Sequence, residues 1–177
     1  MNKGWKISFP VSILPNALTF CNVAFGIIAI IFAANNLYTP AGLLIIAGAI
    51  FDRFDGKVAR KYEVTNELGK QLDSLADIIT FGVAPVITIY MLSFSQLQVL
   101  GIILAVVFVI CGVYRLARFN IHCYDNVFIG MPITVAGFLL AILVLYQTKF
   151  FVHPFINAIG ILFLSYSMVR KRQFKKV

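Results

Sequence analysis

"FDRFDGKVARKYEVTNELGKQLDSLADIITFG", residues 51–82, gathers six acidic and five basic side chains in a chain of 177 residues that is 60% hydrophobic. Four of the acids, Asp52, Asp55, Asp73 and Asp77, stand where apolar segments end or begin. Soluble domains carry about 25% charged residues, whereas this chain carries 12% at a mean hydropathy of +0.91. No charge occurs in residues 7–51, 78–114, 126–148 or 150–169. A membrane-crossing helix takes about 20 residues. The first two runs therefore hold two crossings each, with breaks at "NNLYTP" (35–40) and "MLSFSQLQ" (91–98). This pattern predicts an all-α polytopic membrane protein with six transmembrane helices, over 17–34, 41–62, 72–93, 97–118, 132–148 and 151–169. Residues 1–177 are expected to form a single membrane domain.

Six crossings put both termini and the second and fourth connections on one side. That side receives fourteen of the fifteen Lys and Arg residues, and the other receives Lys149 alone. The excess of basic residues marks the cytoplasmic side, so both termini and all seven carboxylates are expected at the cytoplasmic face of the cell membrane. The net charge of +8 lies at the ends of apolar segments. There it meets anionic lipid headgroups, and nucleic acid is not an expected partner. "VRKRQFKKV" (169–177) reads as a stop-transfer anchor. Cys21, Cys111 and Cys123 have neither zinc spacing nor an oxidising compartment, so no disulfide framework is expected. No small-residue cleavage site follows a short apolar core near the N-terminus, so a removable signal peptide is not expected.

Asp52 and Asp55 are three residues apart, and Asp73 and Asp77 are four apart. On helices, either spacing places both carboxylates on one face. The chain leaves the membrane after the second crossing and re-enters with the third, so the two pairs lie at similar depth and can converge. Four carboxylates at close quarters repel strongly in a low-dielectric setting. Oxygen-only ligands favour a hard divalent ion, Mg²⁺ or Mn²⁺, over zinc or copper. Gly56, Ala59 and Gly69 add a cleft, and Arg60 adds a fixed positive charge suited to phosphate. Lys57, Lys61, Glu63, Glu67 and Lys70 read instead as a solvated connection, whereas acids at a membrane edge are costly and functional by default.

The whole string reads D-x2-D-G-x2-A-R-x8-G-x3-D-x3-D, and it resembles the signature of the CDP-alcohol phosphatidyltransferases. Asp52, Asp55, Gly56, Ala59, Arg60, Gly69, Asp73 and Asp77 fill its eight positions over 26 residues. That family moves a phosphatidyl group from a CDP-linked lipid to an alcohol in a six-span fold, and the resemblance further implies a homodimer. "LPNALTFCNVAFG", "DSLADIITFGVAPV", "YRLARFN" and "FIGMPITVAG" are similar to the short phosphatidylserine synthases of Gram-positive bacteria and archaea. The substrates so implied are CDP-diacylglycerol and L-serine. By the same resemblance, Asp52, Asp55 and Asp73 are ligands to a pair of divalent ions. Asp77 is the general base and also touches a metal. Gly56, Ala59, Arg60 and Gly69 cradle the CDP-lipid.

Asn16 and Thr19, one helical turn apart, are candidates for hydrogen bonds to the nucleotide, with a helix-start role open for Asn16. Serine carries a carboxylate, for which Arg115 and Arg118 are candidates against the alternative of ordinary cytoplasmic anchors. Asn120 and Asp125 are candidates for its ammonium group, and Gly130 and Pro132 shape the entry of the fifth crossing. A double displacement would need a protein nucleophile. His122 and His153 are the two histidines, with His153 on the far side of the membrane, so direct in-line transfer is expected. Two other readings stay open. One is a sister transferase using glycerol phosphate, inositol phosphate or another alcohol. The other is a cation transporter, which would place its acids near the bilayer midplane with polar residues continuing to the far side.

Overall fold

The structure, a computed structural model, describes residues 13–61, 67–94, 97–121, 127–170 and 173–175. Helix α1 (Ile13–Ala34) turns tightly into α2 (Tyr38–Lys61). Asn36 takes the left-handed φ of 62° that the turn needs, and the Tyr38 hydroxyl donates to Asn36 Oδ1 at 2.8 Å. A continuous helical rod then runs from Glu67 to Phe94. It comprises α3 (Glu67–Asp77), a π-helical stretch (Ile78–Val83), α4 (Ala84–Ile89) and a second π-helical stretch (Tyr90–Phe94). Three further helices follow, α5 (Gln98–Ile121), α6 (Ile133–Gln147) and α7 (Pro154–Val169).

Among the described residues, six helical rods stand where six crossings were predicted, with ends displaced by a few residues. Asn16–Ala34, Glu67–Phe94 and Gln98–Ile121 are each long and apolar enough to cross a membrane. The chain is an integral membrane protein built from helices. One departure from an all-α fold is a short antiparallel ribbon pairing β1 (Val127–Ile129) with β2 (Gln173–Lys175), in register Val127 with Lys175. The tail read as a simple anchor therefore folds back. The segment after α5 and the segment after α7 emerge at the same end, where each satisfies the other's backbone groups.

The rod from Glu67 to Phe94 is the hub. In its most apolar stretch 56% of residues are buried, against 28% in α1 and 33% in α5. Helices α1, α5 and α6 pack directly on it, α1 pairs along α2, and α7 lies on α5. The first π-helical stretch has a local cause. Pro85 has no N–H to return to the Phe81 carbonyl, so the ladder cannot continue in its α register. The Ala84 N–H instead reaches back five residues to Ile79 O. Helix α6 closes over the backbone so loosened. A Cβ on Gly137 would stand 2.5 Å from Phe81 O and 2.6 Å from Phe81 Cα. At the other end of the bundle, the fully buried Asn157 exchanges two 3.0 Å hydrogen bonds with Gln147, which also accepts from Ser93. That clamp ties α7 to α6 and to the second π-helical stretch.

The close approach at Gly137 is testable against a neutral glycine. Gly160 in α7 has no atom within 4 Å of an added Cβ. Gly137→Ala must push backbone aside and should lose roughly 1–3 kcal/mol, read as a lower unfolding temperature in detergent. Gly160→Ala should be neutral or gain up to about 1 kcal/mol from helix propensity. Equal stability of the two variants would contradict the packing described.

Candidate active site

Helix α2 carries Asp52 one turn past Gly48, and α3, packed against α1, carries Asp73 and Asp77 on one face. One carboxylate oxygen from each of Asp52, Asp73 and Asp77 falls within a set no more than 4.8 Å apart. At an effective dielectric of about 20, two such charges repel by roughly 3–4 kcal/mol. Asp77 is buried, and Asp73 and Asp77 each keep an Oδ1 out of solvent without a hydrogen-bond partner among the described residues. Arg115 of α5, buried at 7% exposure, attracts Asp77 electrostatically. Among the described residues, one guanidinium opposes three carboxylates there. Orphaned acceptors in an all-oxygen donor set, with negative charge in excess, fit a hard divalent cation.

The predicted residues distribute unevenly around this centre. Gly69 lies half-buried one turn before Asp73. On α1, Thr19 is buried and Asn16 half-buried on the same face. Asp55, Ala59 and Arg60 belong to α2, but their side chains lie outside the described residues, as does Asp125 entirely. Asp52 and Gly56 line a groove of about 580 Å³ between α2 and α6. Its walls are apolar, with Ile50, Phe54, Val135 and Phe138 open to the bundle's outer surface.

The two arginines separate in role. Arg118 donates from Nη1 to Val169 O at 3.1 Å, which caps the end of α7. Its other terminal nitrogen is buried without a partner among the described residues, beside Gly130, where φ is +76° and an added Cβ would stand 2.4 Å from Met168 O. Arg115 lies over the Phe119 ring at 5.3 Å and keeps a buried Nε with no partner among the described residues. Asn120 donates to Ser74 Oγ at 2.9 Å, while its carbonyl accepts from Lys70 at 3.3 Å. The Asn120 side chain, expected to meet a substrate ammonium, is thus tied to α3 through its amide nitrogen. His153 caps α7 at the end of the bundle opposite Arg118 and stacks on Phe155.

The sequence analysis passed over Asn22 and Thr134. Thr134 joins the groove wall across from Asp52. Asn22 is fully buried on α1, and both atoms of its amide lack partners among the described residues. A lone amide inside the apolar run 17–34, three residues after Thr19, was the available signal.

Residues 12–167 match the protein family described as CDP-alcohol phosphatidyltransferase. The CDP-diacylglycerol–serine O-phosphatidyltransferase of Bacillus subtilis (strain 168) is 40% identical over 162 residues, covering 91% of this chain and 89% of that protein. The enzyme of the same name from Helicobacter pylori (strain ATCC 700392 / 26695) is 36% identical over 180 residues, covering 95% and 75%. The archaetidylserine synthase of Methanothermobacter thermautotrophicus is 36% identical over 127 residues, covering 70% and 54%.

Proposed function

The chain belongs to the CDP-alcohol phosphatidyltransferase family, and we propose that it transfers the phosphatidyl group of CDP-diacylglycerol to the hydroxyl of L-serine, releasing CMP. The observation that carries the chemistry is the convergence of Asp52, Asp73 and Asp77, with a buried oxygen on each of Asp73 and Asp77 that has no partner among the described residues. The names of the relatives supply the acceptor. Asp52 and Asp73 would hold Mg²⁺ or Mn²⁺, with Asp77 touching it and Asp55 completing the set. Bound there, the cation neutralises charge on the diphosphate and on the departing CMP.

The chain's own residues do the rest. Asp77 takes the proton from the serine hydroxyl as the serine oxygen bonds to the lipid-side phosphorus and the bond from that phosphorus to CMP breaks. Asn16, Thr19, Gly56, Ala59, Arg60 and Gly69 hold the CDP moiety. The apolar groove between α2 and α6 suits the acyl chains, since it opens sideways at the level of Asp52. Arg115 is the better candidate for the serine carboxylate, because it is buried within electrostatic reach of Asp77 while Arg118 is engaged at the end of α7. His153 lies too far along the bundle to carry a phosphatidyl intermediate, which favours direct in-line transfer.

The orientation reading is six crossings with the carboxylates and both termini in the cytoplasm. It is supported by the fourteen-to-one distribution of Lys and Arg and by the meeting of Arg118 with the end of α7. A reporter fused after Val177 that works only in the cytoplasm should be active, and activity confined to an external reporter would reverse the orientation.

The activity is tested by giving purified protein CDP-diacylglycerol with serine, glycerol 3-phosphate or inositol phosphate and measuring CMP. Serine should be the productive acceptor, excess EDTA should abolish turnover, and Mg²⁺ or Mn²⁺ should restore it. Faster CMP release with glycerol 3-phosphate would move the chain to a sister activity. Lysine cannot reproduce a guanidinium's planar contact with a carboxylate. Arg115→Lys should therefore raise the KM for serine about tenfold or more, the scale of a lost charge-assisted bond, with little change for CDP-diacylglycerol. An unchanged serine KM would place the carboxylate elsewhere.

A further inference from the structure

The floor beneath the carboxylates is built from three helices in close contact. A Cβ on Gly26 of α1 would stand 2.6 Å from Thr80 Oγ1 and 2.9 Å from Thr80 Cα. One on Gly48 of α2 would stand 2.7 Å from Thr80 Cγ2 and 2.8 Å from Asn22 Oδ1. The Asn22 side chain therefore fills the space that Gly48 leaves open. Asp52 is the next residue along that same face of α2, one turn or about 5.4 Å further on. Asp77 precedes Thr80 by three residues on the central rod and Asp73 lies one turn further, towards the same end as Asp52. Asn22 thus sits about one turn below the carboxylates, on the side away from the α2–α3 connection.

Its amide is an anomaly in that position. Asn22 is 0% exposed, and neither Nδ2 nor Oδ1 has a partner among the described residues. The nearby Thr80 hydroxyl gives its hydrogen to the Asn22 backbone carbonyl at 2.8 Å, so it leaves the amide unserved. Elsewhere the fold treats a buried amide differently, since Asn157, equally buried, is matched atom for atom by Gln147. Burying an unmatched amide is costly, and an apolar side chain of similar volume would avoid that cost. The orphaned groups next above Asn22 are acceptors, Oδ1 of Asp73 and Oδ1 of Asp77. An unused donor lies below unused acceptors, a turn apart, which is the span that one ordered water bridges.

We propose that Asn22 is a positioning residue whose amide N–H, through an ordered water, holds the Asp77 carboxylate from the membrane-interior side and so fixes the aim of the cation-binding set. The inference rests on the reading of Asp52, Asp73 and Asp77 as a divalent-cation site. A neutral donor suits the task. It orients a carboxylate without cancelling its charge, whereas a Lys or Arg at position 22 would compete with the cation. The hydrogen-bonded neighbours of metal ligands act in this way in metal sites generally.

The test uses Asn22→Leu and Asn22→Ala in the full-length protein, with Mn²⁺ binding to the substrate-free protein followed by the EPR signal of free Mn²⁺. Both variants should stay folded in detergent, and both should bind Mn²⁺ about tenfold or more weakly than the unmodified protein. In the serine reaction kcat should fall while the KM for serine stays unchanged. Asn22→Ser keeps a donor and leaves room for water, and it should recover most of the Mn²⁺ affinity. A structural amide would give a change in unfolding temperature with Mn²⁺ affinity unmoved. If Asn22→Leu fails to fold, Asn22→Ala decides alone, since it adds no volume. A folded variant with unmodified Mn²⁺ affinity and kcat overturns the proposal. Unmodified protein that binds Mn²⁺ but releases no CMP with any acceptor would overturn the assigned reaction and leave the Mn²⁺ comparison standing. Failure of the unmodified protein to bind Mn²⁺ would overturn both.

Discussion

Mutual repulsion among Asp52, Asp73 and Asp77 is the constraint around which the bundle is organised. Oxygens from three carboxylates lie within 4.8 Å of one another, in a partly buried setting where water screens them poorly. Left alone, such a set would turn its side chains apart or draw in water. The fold holds them together by burying Asp77, and it leaves two of the oxygens with no hydrogen-bond donor among the described residues. On the proposed reading, that local cost in stability would give a divalent cation a site already assembled.

Holding that arrangement falls to the central rod and to the glycines that let its neighbours touch it. Gly26 and Gly48 bring α1 and α2 against Thr80, and Gly137 brings α6 against the Phe81 backbone. These contacts lie within one turn or so of Asp77. They fix its height and rotation relative to Asp52 on α2. Pro85 contributes from the other side, since the π-helical stretch it imposes begins at Ile78, directly after the last carboxylate. The far end of the bundle is closed separately by the Ser93–Gln147–Asn157 clamp. On the proposed reading, substrates would approach from the α2–α3 end, where the groove between α2 and α6 offers a largely apolar flank.

Much of this was legible in the residues. Uncharged runs and their breaks gave six helical segments, because charge avoidance in a membrane is a strong one-dimensional signal. The aspartate spacing pointed to convergence, because helical periodicity and a chain reversal leave the faces little freedom. Other features depend on contacts between distant segments. The pairing of Val127–Ile129 with Gln173–Lys175 joins stretches that carry no mutual mark in the sequence. The π-helical stretches alter a helix that reads as uniform apart from Pro85. Arg115 and Arg118 look equivalent at three residues apart, and only the position of Val169 distinguishes them. Asn22 was visible as a polar residue in an apolar run, but its lack of partners is a property of the packed bundle alone.

Whether the converging aspartates are a cation site is decided by anomalous scattering from crystals of the protein grown with Mn²⁺. Anomalous density should appear among the carboxylates of Asp52, Asp73 and Asp77, and it should be lost in Asp73→Asn crystals grown the same way. Strong Mn²⁺ density elsewhere with none between these three side chains, in a protein that still turns over with Mn²⁺, would contradict a cation site there.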